Sequence, residues 1–320
     1  MIEMKNLTKR YKKIVAVDNI SLDIKEGEIF GLLGPNGAGK TTTLLMLTTL
    51  VKPTSGQATV CGISVTKKPD AVRRCIGIVF QDPSSDDILT GYENLKLHGL
   101  LYGMPAKLRE ERIKDVLALV EMTKRKDDLV KKYSGGMRRR LELARGLMHH
   151  PKVLFLDEPT LGLDPQSREH TWKYIGKLAR EKNITVIITT HYMEEADKLC
   201  DRVAIIDAGK IVALGTPAEL KKIIGGDVVT LKVKNPNLSR VRKLKYVKKV
   251  VRKGDVLSLT VADASGSLPS ILKAVGKVEY VEVHSPTLED VFIHYTGKGI
   301  REDSPEGGFF ERMIHQRAKR

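Results

Sequence analysis

The stretch Glu28–Leu47, EIFGLLGPNGAGKTTTLLML, decides the fold. Ile29 to Leu33 read as a short buried strand, and the residues from Lys40 onward read as a helix. Between them GPNGAGKT, Gly34 to Thr41, fits the G-x-x-x-x-G-K-[ST] template in the strand–loop–helix context that gives it meaning. Gly34, Gly37 and Gly39 let backbone N–H groups turn onto phosphate oxygens without a Cβ in the way, and the following helix offers its positive end. Pro35, Asn36, Ala38 and Thr42 complete the loop and the first helical turn. Lys40 is placed to reach β- and γ-phosphates, and the Thr41 hydroxyl to ligand Mg2+.

Outward from this loop, apolar runs alternate with helical patterns through about residue 225: CIGIVFQ, VLFLDEP, ITVIITT and VAIIDAG are each strand-like. That alternation predicts a parallel sheet. Residues 2–24 and GQATVCG instead read as antiparallel strands, giving a mixed sheet. From about 82 to 150 the period is helical, with Ile113, Val116, Leu117 and Val120 on one face, so a helical subdomain is inserted between sheet strands. After Gly225-Gly226, short strands and helices predict a small α+β domain over 227–297, followed by a polar segment, 298–320, expected to be a mobile tail. The fold class is α/β, with domains 1–225 and 227–297.

Length and composition agree. At roughly 150 residues per domain, 320 residues allow about two domains. Hydrophobic residues at 41% and charged residues at 29% exclude a mainly disordered chain. A formal charge of +16 favours phosphate-bearing partners without choosing among nucleotide, nucleic acid and anionic membrane. No apolar run approaches the ~18 to 20 residues that span a bilayer, and the N-terminus lacks a signal-peptide apolar region, so a cytoplasmic location is expected. Cys61, Cys75 and Cys200 match no zinc or disulfide spacing and read as reduced thiols.

VLFLDEP, Val153–Pro159, ends a run too apolar to be anything but a buried strand. Two carboxylates there would be costly without a cation, so Asp157 is expected to hold Mg2+ and Glu158 to polarise an attacking water. Ser134-Gly135-Gly136 stand where a helix starts, with Met137, Leu141, Ala144 and Met148 spaced along one face. That exposed N-terminus is a second candidate anion site.

GPNGAGKT, Gln81 after a strand, SGGM before a basic amphipathic helix, LFLDEP, LGLD and His191 after a strand occur in the order and spacing of an ATP-binding cassette (ABC) subunit. The resemblance implies a P-loop NTPase cassette with ATP and Mg2+ as cofactors. It implies that Tyr11 stacks on adenine and that Gln81 senses Mg2+ and the attacking water. Ser134, Gly135 and Gly136 resemble the signature that clamps the γ-phosphate of a nucleotide held by a second copy. Asp164 in LGLD resembles the residue linking the two sites, and His191 the γ-phosphate contact. Tyr133 stands where leucine is commonest, a departure expected to affect packing.

Three further segments, 88–105, 201–217 and 285–303, resemble the daunorubicin-resistance type of exporter ATPase. The resemblance implies an ATPase that powers a separate integral membrane permease, dimerises with a second copy and sits peripherally on the inner face of the cell membrane. The alternative is a cassette ATPase acting on ribosomes or nucleic acid, which the basic charge suits; such proteins resemble tandem cassettes or cassettes with long coiled coils, and neither pattern occurs here. A regulatory nucleotide-binding module is disfavoured by intact Lys40, Asp157 and Glu158. The basic run Arg240, Arg242, Lys243, Lys245, Lys248, Lys249, Arg252 and Lys253 reads first as a solvated helix face, then as a contact for anionic lipid, and last as a nucleic-acid site. Ile88, Leu89, Tyr92 and Leu95 are spaced to line one helix face, suited to receiving a permease helix.

Overall fold

The computed structural model describes residues 1–234 and 236–297. The expected tail, 298–320, lies outside them. The chain divides into two units between Leu214 and Gly215, ahead of the Gly225-Gly226 pair.

In the first unit β1 (Ile2–Tyr11), β2 (Ile14–Ile24), β3 (Ile29–Leu33), α1 (Lys40–Leu47), β4 (Ser55–Val60), β5 (Ile63–Ser64), α2 (Pro69–Cys75) and β6 (Ile76–Val79) come first. The helices α3 (Gly91–Leu101), α4 (Ala106–Leu119) and α5 (Gly135–Gly146) follow. Then come β7 (Val153–Asp157), α6 (Pro165–Lys182), β8 (Thr185–Thr190), α7 (Met193–Leu199), β9 (Arg202–Asp207) and β10 (Lys210–Gly215). One sheet has the order β2-β1-β4-β5, paired antiparallel. A second has the order β10-β9-β3-β8-β7-β6, in which β9, β3, β8, β7 and β6 run parallel. The mixed arrangement expected of an α/β cassette is therefore present. β3, β7 and β8 are buried along their whole length, which is why they read as unbroken apolar runs. The core between the sheets joins Ile2, Leu22 and Val60 to Phe30, Phe155 and Ile187.

Parallel strands put all their carboxyl ends on one edge, where open α/β sheets bind ligands. On that edge β3 runs into Gly34–Lys40, β6 precedes Gln81, β7 delivers Asp157 and Glu158, and β8 delivers His191.

Among the three inserted helices, Ile113, Val116, Leu117 and Val120 are all buried, as their periodicity predicts. The docking face differs from expectation. Thr90 caps α3 in a capping box with Glu93, so Ile88 and Leu89 precede the helix, while Leu95 is in the core. The Tyr92 hydroxyl is engaged with Glu110 at 2.9 Å. Of the expected four only Ile88 is exposed, and the other exposed apolar residues here are Leu97, Leu100, Leu101, Tyr102 and Leu108. Tyr133, in leucine's usual place, is buried: its hydroxyl donates to the Arg125 carbonyl at 2.6 Å and lies against Gly91, where a Cβ would come within 2.4 Å.

The second unit holds α8 (Pro217–Lys222), β11 (Asp227–Lys232), α9 (Leu238–Arg242), β12 (Val247–Lys253), β13 (Val256–Val261), α10 (Ala264–Val275), β14 (Tyr280–His284) and α11 (Leu288–Thr296). Its antiparallel sheet has the order β12-β13-β11-β14. Val229, Leu231, Leu257, Leu259 and Ile271 form its core. α8 packs on α11, which joins residues 217–222 to this unit. The basic run is not one helix face: it spans the short α9 and the edge strand β12. Exposed Lys248, Lys249 and Arg252 on that edge discourage pairing with another strand.

No helix among the described residues is long and apolar enough to cross a membrane.

Candidate active site

The loop after β3 is shaped by close approach. A Cβ on Gly34 would come within 2.2 Å of the Ile206 carbonyl oxygen, and one on Gly39, at φ +105°, within 2.4 Å of the Ala16 carbonyl oxygen. Gly37, at φ +80°, faces open space. Gly39 precedes α1 without a side-chain cap, so the first N–H groups of the helix remain available to an anion. Glycine spacing, uncapped helix and open space fit a polyphosphate.

Lys40 is almost fully buried. Its ammonium donates to the carbonyls of Gly34 at 2.7 Å and Pro35 at 3.2 Å, and lies 3.2 Å from Glu158 Oε1. The other oxygen, Oε2, is 2.8 Å from His191 Nδ1. Burial pushes the Glu158 carboxyl up, but the His191 hydrogen bond and the Lys40 charge together outweigh it, leaving the group below the usual carboxylate range. Glu158 therefore stays ionised although buried. Asp157 differs: burial and the neighbouring Glu158 charge raise it, against hydrogen bonds from Thr189 and Thr41. The Thr41 hydroxyl donates to Asp157 Oδ1 at 3.1 Å. A carboxylate beside a hydroxyl, both facing a polyphosphate cradle, is a donor set for a hard divalent cation such as Mg2+.

Glu158 has a left-handed backbone, φ 48°, which for a residue with a Cβ costs ~1 to 2 kcal/mol. Thr189 holds it. The Glu158 N–H donates to the Thr189 hydroxyl at 3.0 Å and to its carbonyl at 3.1 Å, while the Thr189 hydroxyl donates to Asp157. Thr189 holds the Asp157 carboxylate and the Glu158 backbone and was not among the expected site residues. Its signal is Thr189-Thr190-His191, polar residues closing an apolar strand.

Tyr11, about two-fifths exposed, lies under the Lys9 ammonium at 5.0 Å and has a raised pKa, from burial, with its hydroxyl near Thr42. Gln81 is half-buried on the loop after β6. Ser134 caps α5 and is exposed, its hydroxyl accepting from the Met137 N–H at 3.3 Å. Gly135 and Gly136 neighbour Leu163 and Ser167 of the same chain. Asp164 caps α6 through Ser167 N–H at 2.9 Å, and hydrogen bonds with Ser167 hold its carboxyl below the usual range. Lys40, Thr41, Asp157, Glu158 and His191 are thus gathered at one place. Ser134–Gly136 and Asp164 lie beside each other on the chain's exposed surface.

Residues 17–161 match the family described as ABC transporter, and residues 215–296 match the C-terminal domain described as ATP-binding protein DrrA1-3-like. The chain is 39% identical over 312 residues to the linearmycin resistance ATP-binding protein LnrL of Bacillus subtilis, covering 94% of this chain and 100% of that protein. The chain belongs to the ABC transporter family. It is also 38% identical over 304 residues to the Nod factor export ATP-binding protein I of Cupriavidus metallidurans, covering 94% of this chain and 99% of that protein. Against the daunorubicin/doxorubicin resistance ATP-binding protein DrrA of Streptomyces peucetius, identity is 45% over 232 residues, 72% of this chain and 70% of that protein. Among solved structures, the ATP-binding cassette MJ0796 in a dimeric post-hydrolysis state with ADP and Pi superposes with a TM-score of 0.62 at 31% identity, over 68% of this chain and 98% of that one. CbiO1 of Clostridium perfringens, part of the complex cbiONQ, gives 0.65 at 30%, over 70% and 92%. This ABC chain is an ATPase.

Proposed function

We propose that this ATPase powers an exporter whose substrate path lies in a separate membrane permease, and that two copies act together at the inner face of the cell membrane. Support comes from relatives over nearly the whole chain whose names are resistance or export ATP-binding proteins. The observation that carries the catalytic part is the buried Lys40–Glu158–His191 chain of contacts, which keeps a carboxylate ionised where water must be polarised.

Glu158 accepts the proton of the attacking water. His191 orients Glu158 and contacts the γ-phosphate, and Lys40 moves its charge between Glu158 and the β/γ oxygens. Thr41, Asp157 and Gln81 hold Mg2+, which when bound neutralises charge on the phosphates. The loop Gly34–Thr42 cradles the phosphates and Tyr11 stacks on the base. Ser134–Gly136 and Asp164, exposed and adjacent, serve the nucleotide of the second copy. The exposed apolar residues Ile88, Leu97, Leu100, Leu101, Tyr102 and Leu108 receive the permease. Anionic lipid, rather than nucleic acid, suits the basic edge of the small domain.

The test is Mg-ATP turnover of the purified chain, together with its distribution between membrane and ribosome fractions. Turnover lost in Lys40→Ala and a permease-dependent membrane association are expected; wild-type turnover in that variant, or co-sedimentation with ribosomes, would overturn the proposal.

A further inference from the structure

Two charged side chains buried inside α5 are not used by the site described above. Arg139, 7% exposed, spends its guanidinium on three backbone carbonyls: Phe80 at 2.6 Å, Pro159 at 2.6 Å and Asp157 at 3.1 Å. Burial lowers its pKa to about 10, so it remains charged at neutral pH. Each carbonyl flanks a residue of the active site: Phe80 precedes Gln81, and Asp157 and Pro159 bracket Glu158. Glu142, 4% exposed, lies three residues further along the same helix face. Its carboxylate accepts from the Ser85 N–H at 2.8 Å, the Ser84 N–H at 3.2 Å and the Ser84 hydroxyl at 2.9 Å, and is neutralised by Arg145 at 3.1 Å.

A guanidinium that replaces its hydration with three carbonyls, and a carboxylate that replaces its own with two amides, are stabilised only while those backbone groups stay in place. The loop Phe80–Ser85 is therefore held at both ends, its carbonyl end by a cation and its N–H end by an anion. We propose that Arg139 and Glu142 are positioning residues that clamp the Gln81 loop, and through Asp157 and Pro159 the catalytic turn, to the helix that begins at Ser134. The proposal rests on Gln81 serving hydrolysis. Because the same helix carries the signature at its N-terminus, displacement of Ser134–Gly136 is transmitted to Gln81 and Glu158 without an intervening flexible link.

Two measurements on the full-length chain test it. In amide hydrogen exchange of the nucleotide-free protein, Glu142→Gln removes the negative charge and one of the two acceptor oxygens that hold Ser84 and Ser85, and exchange across 80–85 is expected to rise about tenfold or more. In steady-state turnover, Glu142→Gln and Arg139→Lys, the latter keeping charge but losing the planar fork, are expected to lower kcat about tenfold with ATP affinity within about twofold. In a Gln81→Ala background Glu142→Gln should cost less than about twofold more, because Glu142 holds only the Gln81 loop, whereas Arg139→Lys should still lower kcat through the carbonyls of Asp157 and Pro159. Equal losses from Glu142→Gln in both backgrounds would mean a merely structural role and overturn the proposal, as would unchanged exchange in Glu142→Gln; both readouts stand if Arg139→Lys does not fold. If Gln81→Ala itself turns over normally, the assignment of Gln81 fails and the clamp with it, a pattern distinct from failure of the clamp alone.

Discussion

His191 Nδ1 lies 2.8 Å from Glu158 Oε2, on a carboxylate whose other oxygen faces Lys40 at 3.2 Å. The imidazole and the ammonium thus bracket one buried anion. Removing either leaves a single partner to offset burial, which raises the Glu158 pKa and shifts the carboxyl toward its protonated form, which cannot accept a proton. The residue after β7 and the residue after β8 are adjacent strand ends in a parallel sheet, so the pairing Asp157↔Thr189 is what brings them together.

Ser134→Arg is expected to abolish hydrolysis and leave nucleotide binding to the isolated chain within about twofold, since Ser134 is exposed at the start of α5 and, in the proposed dimer, serves the second copy. Mixing a Lys40→Ala chain with a Ser134→Arg chain should give one site with both defects and one with neither. Partial recovery of turnover on mixing is the expected result; failure of Ser134→Arg to bind ATP would remove the in-trans arrangement.

Much of the site is legible in the sequence because its signals are local. Gly34–Thr41 carry their own strand and helix context, and the apolar runs ending at Asp157 and Thr190 could only be buried parallel strands. Arg139 and Glu142 were not legible, since their partners lie far along the chain and a charged residue in a helix reads as solvated, while Thr189 is marked only by the polar close of its strand. The capping box Thr90–Glu93 was legible as [ST]-x-x-[DE], and would have placed Ile88 and Leu89 outside the helix. Arg240–Lys253 reads as a helix face from charge alone, but over Val247–Lys253 the residues Val247, Val250 and Val251 carry the β-propensity that wins.

Leu101→Glu places a charge among the exposed apolar residues of the helical subdomain. Fold and ATP turnover of the isolated chain should be retained, while co-purification with the permease and transport fall about tenfold or more. Co-purification and transport at wild-type levels would move the docking surface elsewhere.

His98 is half-buried beside His149 and Tyr102, and its burial, aided by the charge of Arg145, lowers its pKa to about 4. The unfolded chain, with an ordinary pKa near ~6.5, binds the proton more readily, so stability is full above pH ~6.5 and falls toward pH ~4. The loss from this residue reaches about 3 kcal/mol at the acid end. Denaturant unfolding of His98→Phe and wild type should therefore diverge as pH drops through this window, in favour of the variant. A constant difference across it would contradict the assignment.

The most direct measurement is sedimentation of Glu158→Gln with Mg-ATP, alongside its turnover. Glutamine keeps the shape that meets Lys40 and His191 but cannot take the proton of water, so turnover is expected to fall by about 10²-fold or more while ATP still binds. The variant should then accumulate as an ATP-bound dimer. A variant that remains monomeric with ATP bound, or one that hydrolyses ATP at the wild-type rate, would contradict the account.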